Sequence, residues 1–537
     1  MGRVDPVTTR RDLLAATTLG WLASQIPKAE RPLDGRIVGA SHRVGHLLRN
    51  GPPSGDPTTI SRADVVVVGS GISGLSAAWR MAAHDLDVHV LELEPFVGGT
   101  STWSDDGPVP HPWGAHYIAA PNPEARAALR LLAEMNVLTH FDAAGRPVYD
   151  PKVLCHAPSE RLFYDGAWSA GLIPDGALDT TTEAELSRFT QACAAFSMQR
   201  GADGRHLFEI PLVLSSVDPD TLALDRLSMA EYLEREGYRS PFFHWYVRYA
   251  MLDDFGAEPS EVSAWAGLHY FSARRAEGAE LEGSRFLVWP EGNGRLAKAL
   301  LDGGGATVST GSLAVSVMET PSGVNVTYLE TSSGELRRID ARAVVLAVPA
   351  FVAARLVGSA AVQLPSRTYS PWLVANLHVA RDFEPDHPWD SVLYGADGLG
   401  YVDASHQLFV PSEQTVLTYY RAFGGPDVVG SRNALVGASW WTLVDGVFSD
   451  LAPAHPDLRA HTQRLDVMLW GHAMPRPSPG FLGAHPFEAT RTLSRRVAWG
   501  HVDIAGMALF EEAQHAGVLA AETALVAMGI QPGTTWT

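Results

Sequence analysis

Cysteine is nearly absent: Cys155 and Cys193 are the only two in 537 residues. Two thiols allow at most one disulfide, which excludes a disulfide-stapled scaffold, an iron–sulfur centre and a Cys-type zinc site. Lysine is scarce too, with only Lys28, Lys152 and Lys298, so nearly all positive charge is arginine. Lys plus Arg number 41 against 60 for Asp plus Glu, a net charge of −19. So acidic a surface repels the phosphate backbone of DNA or RNA, and no nucleic-acid partner is expected. The 20 histidines contain no H-E-x-x-H or comparable ligand spacing, so no metal site is expected either. Internal repeats and low-complexity tracts are missing. The apolar stretch Leu13 to Ile26 is too short to cross about 30 Å of hydrocarbon as a helix, so it is not a transmembrane anchor. What remains is a chain, 46% hydrophobic, with room for about three domain-sized units built on buried cores.

Thr9-Arg10-Arg11-Asp12-Leu13-Leu14 stands directly before that stretch. Paired arginines followed by leucines and a weakly apolar Ala/Thr/Leu run resemble a twin-arginine export signal, which bacteria use for proteins already folded. The resemblance implies an exported, periplasmic or extracellular protein, tethered to the membrane if residues 1–30 are not removed. Residues 31–62 are rich in Gly, Pro, Arg and His without sustained periodicity, and read as a linker that wraps onto the body.

A dinucleotide motif follows. Asp64-Val65-Val66-Val67-Val68 has the β-branched run of a parallel strand buried on both faces. Gly69-Ser70-Gly71-Ile72-Ser73-Gly74 then fits G-x-G-x-x-G and opens a helix. In that motif the first glycine allows the turn, the second the approach of a pyrophosphate, and the third helix-on-strand packing. Ser73 sits in the first helical turn, where free N–H groups and the helix dipole favour phosphate. The next strand, Val88 to Leu91, ends in Glu92, placed to accept ribose hydroxyls and to disfavour a 2′-phosphate.

Further stretches carry a resemblance to one family. Glu92-Leu93-Glu94-Pro95-Phe96-Val97-Gly98-Gly99-Thr100 resembles the glycine doublet after the second strand in the flavin amine oxidase superfamily, with Thr100 where an arginine is usual. Gly114-Ala115-His116-Tyr117-Ile118 resembles that family's segment beside the isoalloxazine, and Trp289 to Leu296 its turn into a helix. The strand Ser312 to Val317 would bring Ala314 near the adenine. Val502 to Met507, then Glu511 to Gly517, resemble the closing motif, with Gly506, Met507, Phe510 and Ala513 at flavin-side positions. Met507 replaces the acid usual at the ribityl chain in that family, so either Glu511 or Glu512 takes that role or FAD binds more weakly. Asn376 stands where amine-oxidising relatives carry a lysine that holds a water at flavin N5, and His116 is a cofactor or substrate contact.

The resemblance implies an α/β fold: a discontinuous Rossmann-like FAD-binding domain (63–120, 284–359 and 481–537) with an inserted α+β substrate domain containing a mixed sheet (121–283 and 360–480). FAD is the implied cofactor, oxygen or another acceptor the implied oxidant, and a small molecule the substrate. The first expectation is a small amine or polyamine giving hydride to flavin N5. The alternatives are a dehydrogenase or desaturase of an apolar polycyclic or polyene compound, and a non-catalytic flavin-fold carrier. Tyr419-Tyr420 and Trp440-Trp441 read as strand pairs, each with one ring free to line a pocket.

Overall fold

The computed structural model describes residues 33–275, 286–358, 364–383, 388–410, 412–483, 487, 491–534 and 536. Arg10, Arg11 and the rest of the export-like segment lie outside these residues.

The four-valine run becomes the end of the strand Thr59–Val68, with Val65, Val66 and Val67 fully buried. Valines fit here because both faces of a parallel strand are covered. On one side it pairs in parallel with Val88–Leu91, and on the other with Glu335–Leu346. Thr307–Ser309 extends the sheet beyond Val88–Leu91, while Val497–Trp499 adds a further parallel strand on Glu335–Leu346. Ser312–Glu319 and Val324–Glu330 close the other side as an antiparallel meander. Three separate stretches of chain thus build one Rossmann-like sheet.

Small residues let its helices pack closely. Ala77 and Ala78 of the helix Ile72–Met81 share a core with Ala520, Ala521 and Ala524 of the helix Phe510–Ala527. A Cβ on Gly517 would stand 2.0 Å from the Ser73 carbonyl oxygen, so nothing larger than glycine fits that crossing. A buried ion pair ties the same two helices, with Arg80 Nε 2.9 Å from Glu522 Oε1.

The second sheet has eight strands in the order Ile37–Gly39, Thr462–Pro475, Tyr369–Ala380, Gln414–Ala422, Tyr401–Asp403, Asp390–Leu393, Glu160–Tyr164 and Ala167–Ala170. It is mixed: Ile37–Gly39 runs parallel to its neighbour, as does Asp390–Leu393 to Glu160–Tyr164, and the other pairs are antiparallel. Helices Thr180–Met198, Pro241–Phe255 and Ala264–Ala273 pack together over a core rich in Phe, Trp and Leu.

Two sequence expectations change here. The stretch read as linker contributes the edge strand Ile37–Gly39, the short helices His42–Gly45 and Leu47–Asn50, and the first residues of Thr59–Val68. Trp440 and Trp441 are not in a strand. They open the helix Trp440–Leu451, because Ser439 caps it by accepting from the Thr442 N–H at 3.2 Å, and a cap outweighs the aromatic preference for strands.

Glu522→Ala would leave the buried Arg80 charge without its carboxylate, held by the Pro532 and Thr534 carbonyls, and breaking a buried ion pair costs about 3–5 kcal/mol. We expect the denaturant midpoint of the variant to fall accordingly, as read by circular dichroism.

Candidate functional site

A cavity of about 810 Å³ opens between the two sheets and takes its walls from both. Its floor begins at the glycine loop, where the three glycines do different work. Gly69 has φ 98°, and a Cβ there would stand 2.6 Å from the Ala347 carbonyl oxygen. In front of Gly71 the nearest protein atom to such a Cβ is the Gly99 Cα at 4.0 Å, so that space belongs to the cavity. Gly74 does not line it, since its Cβ would meet the Gly69 carbonyl oxygen at 1.9 Å. Gly98, Gly99 and Thr100 form the adjoining wall, with the Gly98 N–H donating to the Ser70 carbonyl at 2.9 Å. A side-chain-free wall at the start of a helix with no acidic residue in its first turn fits a phosphate.

Glu92 sets the shape of this loop. Its Oε2 accepts from the Ser70 N–H at 2.8 Å and hydroxyl at 2.7 Å, and its Oε1 accepts from the Glu94 N–H at 2.8 Å. Burial pushes the Glu92 carboxyl above its ordinary range, against the pull of those hydrogen bonds. Oε2 is filled by its two hydrogen bonds, whereas Oε1 accepts only one and keeps a lone pair that a ribose hydroxyl can use, on a residue that lines the cavity. Ser73, Ala314, Phe510 and Ala513 also line the space, so the carried-over adenine and flavin positions meet around one volume.

At the other end Gly114, Ala115, His116 and Tyr117 enter the wall. Tyr420 fixes this turn by donating from its hydroxyl to the Gly114 carbonyl at 2.9 Å. Its ring stacks on His116 at 4.7 Å and 28°, and Trp389 lies 5.6 Å from the same imidazole. Burial pushes His116 down to about 4, so it is neutral at pH 7. Tyr419, the neighbour on the strand, points the opposite way and donates to Asp450 at 2.8 Å within the core.

Besides Gly74, three expected positions do not reach the cavity. Asn376 follows Trp372 and Val374 on the same strand face, but only those two line the space. Asn376 is fully buried beyond it, its Nδ2 donating to the Pro112 carbonyl at 3.0 Å. Gly506 packs against the Arg367 guanidinium, and Met507 is fully buried in the helical core. The closing motif instead presents His501 and Val502 before that turn, and Ala508, Leu509 and Glu511 after it. Glu512 turns away and accepts from the Leu212 N–H at 2.5 Å.

The sequence reading also missed an acidic group. Asp253 lines the cavity within 3.4 Å of the Tyr117 hydroxyl. Burial, then the neighbouring Asp254, pushes it up to about 7. Asp390 lies behind it, 3.5 Å from the Tyr249 hydroxyl, held well above the carboxylate range by burial and by Glu160 and Asp253. Glu160 is raised by burial alone. Arg274, the cation at this end, is taken by Asp254 at 2.5 Å. The only signal in the sequence was Asp253-Asp254 inside the largely apolar helix Pro241–Phe255.

Elsewhere, Glu124, His206 and Glu209 bring possible ligand atoms within 4.8 Å of one another. Arg275 already supplies the cation there, with Nη2 at 3.0 Å from Glu124 and 2.7 Å from Glu209.

Fold and site together define a Rossmann-like domain with a dinucleotide-type glycine loop beneath a second, mixed-sheet domain. Comparison with known proteins agrees. Residues 67–134 match the NAD(P)-binding Rossmann-like domain family. The L-amino acid dehydrogenase of Synechocystis sp. is 25% identical over 325 residues, covering 57% of this chain and 60% of that protein. The flavin-containing amine oxidase A of Canis lupus familiaris is 64% identical over 36 residues, 7% of each chain. A putrescine oxidase structure superposes with a TM-score of 0.63 at 15% identity, covering 87% of this chain and 99% of that one. The cyclohexylamine oxidase of Brevibacterium oxydans gives 0.62 at 17%, with the same coverage. The chain therefore has the two-domain fold of these amine oxidases.

Replacing Glu92 by Ala frees the Ser70 turn and removes the ribose acceptor. Charge-assisted hydrogen bonds contribute about 1.5–3 kcal/mol each, so we expect dinucleotide affinity to fall at least about tenfold, with Glu92→Gln between the two. Dinucleotide released from the denatured protein measures it, and unchanged content in Glu92→Ala would refute the assignment.

Proposed function

We propose that the protein is an FAD-dependent oxidoreductase whose substrate is an amine with more than one positive charge. The observation behind this is the set Asp253, Asp390 and Glu160: three partly buried carboxyls, all held above their ordinary range, with Asp390 and Glu160 paired across neighbouring strands and no cationic partner within salt-bridge distance among the described residues. Burying uncompensated charge is costly, so such a group is built either to hold protons or to receive a cation. The walls around it are Tyr117, Tyr249, Tyr420 and Trp389, whose ring faces attract ammonium groups. An apolar polyene or polycyclic substrate would leave these carboxylates without counter-charge. The carboxylate of an amino acid would find Arg274 already engaged by Asp254.

When bound, the flavin supplies a hydride acceptor. The chain supplies position and electrostatics. Neutral His116 stacked on Tyr420 forms an uncharged wall on the flavin side, which does not repel a cationic substrate. Asp253, opening from the cavity toward Asp390 and Glu160, would hold a distal ammonium and so fix how far the reacting carbon reaches. The enclosing rings exclude water from that path.

The test is the visible spectrum of the purified protein under anaerobic addition of amines. A flavin band near about 450 nm that bleaches faster with a linear diamine than with the monoamine of equal length is the expected result. In Asp253→Asn the diamine-to-monoamine ratio of bleaching rates should fall about tenfold, the size of one lost charge-assisted contact. A stable band with every amine would return the desaturase-like reading, and folded protein that takes up no flavin would return the carrier.

A further inference from the structure

The opposite end of the cavity carries the opposite charge. The segment from Ala40 to Arg49 lies along it, anchored where Ser41 donates from its N–H and hydroxyl to the Glu94 carboxylate at 2.8 and 2.7 Å. His42, His46 and Arg49 of this segment line the cavity, as do Arg432 of the helix Val428–Gly437 and His472 of the strand Thr462–Pro475. These groups feel one another. Burial, then Arg49, His42 and Arg432, holds His46 below its ordinary value. Burial, then Arg432, His46 and Arg49, pushes His472 down to about 4.

Neither arginine has a carboxylate partner among the described residues. Arg49 Nε donates to Asn50 Oδ1 at 3.0 Å, and Arg432 Nη2 donates to the Tyr369 carbonyl at 3.1 Å. Arg432 is also partly desolvated, which lowers its pKa. Arg432 Nε also donates to the Gly471 carbonyl at 2.5 Å, so its position is fixed by the backbone, and Arg49 is exposed. Two guanidiniums that line one cavity without carboxylate partners fit an anion of more than one charge. The segments that carry the cluster touch the elements that carry the cradle. On one side Gly45 packs on Leu93, next to Glu92. On the other the His472 ring lies 4.8 Å from Phe351, three residues after Val348, which packs against Gly69. Thr100, in the adjoining wall, brings no charge to this space.

We infer that Arg49 and Arg432, with His46 and His472 beside them, bind the diphosphate of the dinucleotide and supply the positive charge that Thr100 does not. The inference rests on the reading that this cavity holds FAD. The segment before the Rossmann strand is then a strap that completes the cofactor site from outside the glycine loop.

Protein stripped of cofactor is titrated with FAD, ADP and riboflavin, following flavin fluorescence or, for ADP, heat. Arg49→Gln and Arg432→Gln should each weaken FAD and ADP about tenfold at low salt. Riboflavin, which has no phosphate, should be unaffected, and the double variant should lose most of the salt dependence of FAD binding. Arg49→Lys and Arg432→Lys should recover part of the affinity, which a folding defect would not allow. Unchanged FAD and ADP affinity in the double variant, or an equal loss for riboflavin, overturns the inference. Wild-type protein that binds ADP through these arginines but not FAD overturns the flavin reading alone, and protein that binds neither overturns both.

Discussion

A charge buried without a partner costs several kcal/mol even after the protein relaxes around it. At the two ends of one cavity this protein gathers groups of opposite kind, and at the acidic end burial limits that cost by making the carboxyls hold their protons more tightly. Asp253, Asp390 and Glu160 gather at one end, and Arg49, Arg432 and their histidines at the other. Brought together, the two groups would neutralise each other as ordinary ion pairs. The architecture keeps them apart, with Asp253 lining the cavity for one group and Arg49 and Arg432 for the other, and the reading of the molecule follows from that separation.

Separation is possible because the cavity lies at the seam of two independent sheets. The Rossmann-like sheet brings the glycine loop, Glu92 and Ala314 to the cavity. The mixed sheet brings Trp372, Val374 and Tyr420 from adjacent strands. The chain crosses between them several times, so neither sheet can shift far without dragging the other. Close helix contacts, such as Gly517 against Ser73, hold the phosphate-facing helix in place. The N-terminal segment belongs to both halves, since Ile37–Gly39 extends the mixed sheet while Ser41 is bonded to Glu94.

Local motifs were legible before any coordinates. Valine run, glycine loop, helix, strand and acid occur in the order that a parallel βαβ unit needs, and each step involves only neighbours in sequence. The expected flavin-side segment Gly114 to Tyr117 and the start of the last helix do reach the cavity. Errors arose wherever the answer depended on how far an element extends. Asn376 is on the expected face of its strand but one pleat too far along, behind Pro112. Met507 sits in a motif whose neighbours line the cavity, yet a tight turn at Gly506 sends its side chain into the helical core. Trp440 and Trp441 looked like strand residues until the Ser439 cap is taken into account.

By itself the sequence determined the dinucleotide loop, which follows from periodicity, glycine placement and short-range order, and its motifs carried the resemblance to flavin amine oxidases that implied the fold class. Only the tertiary structure decided which charges meet. Glu160, Asp253 and Asp390 come from a strand, a helix and another strand distant in the chain, and Arg49 and Arg432 from a strap and a helix. No spacing rule connects them: Asp390 and Glu160 meet only because their strands pair in the mixed sheet, and Asp253 reaches them from a helix far away in sequence.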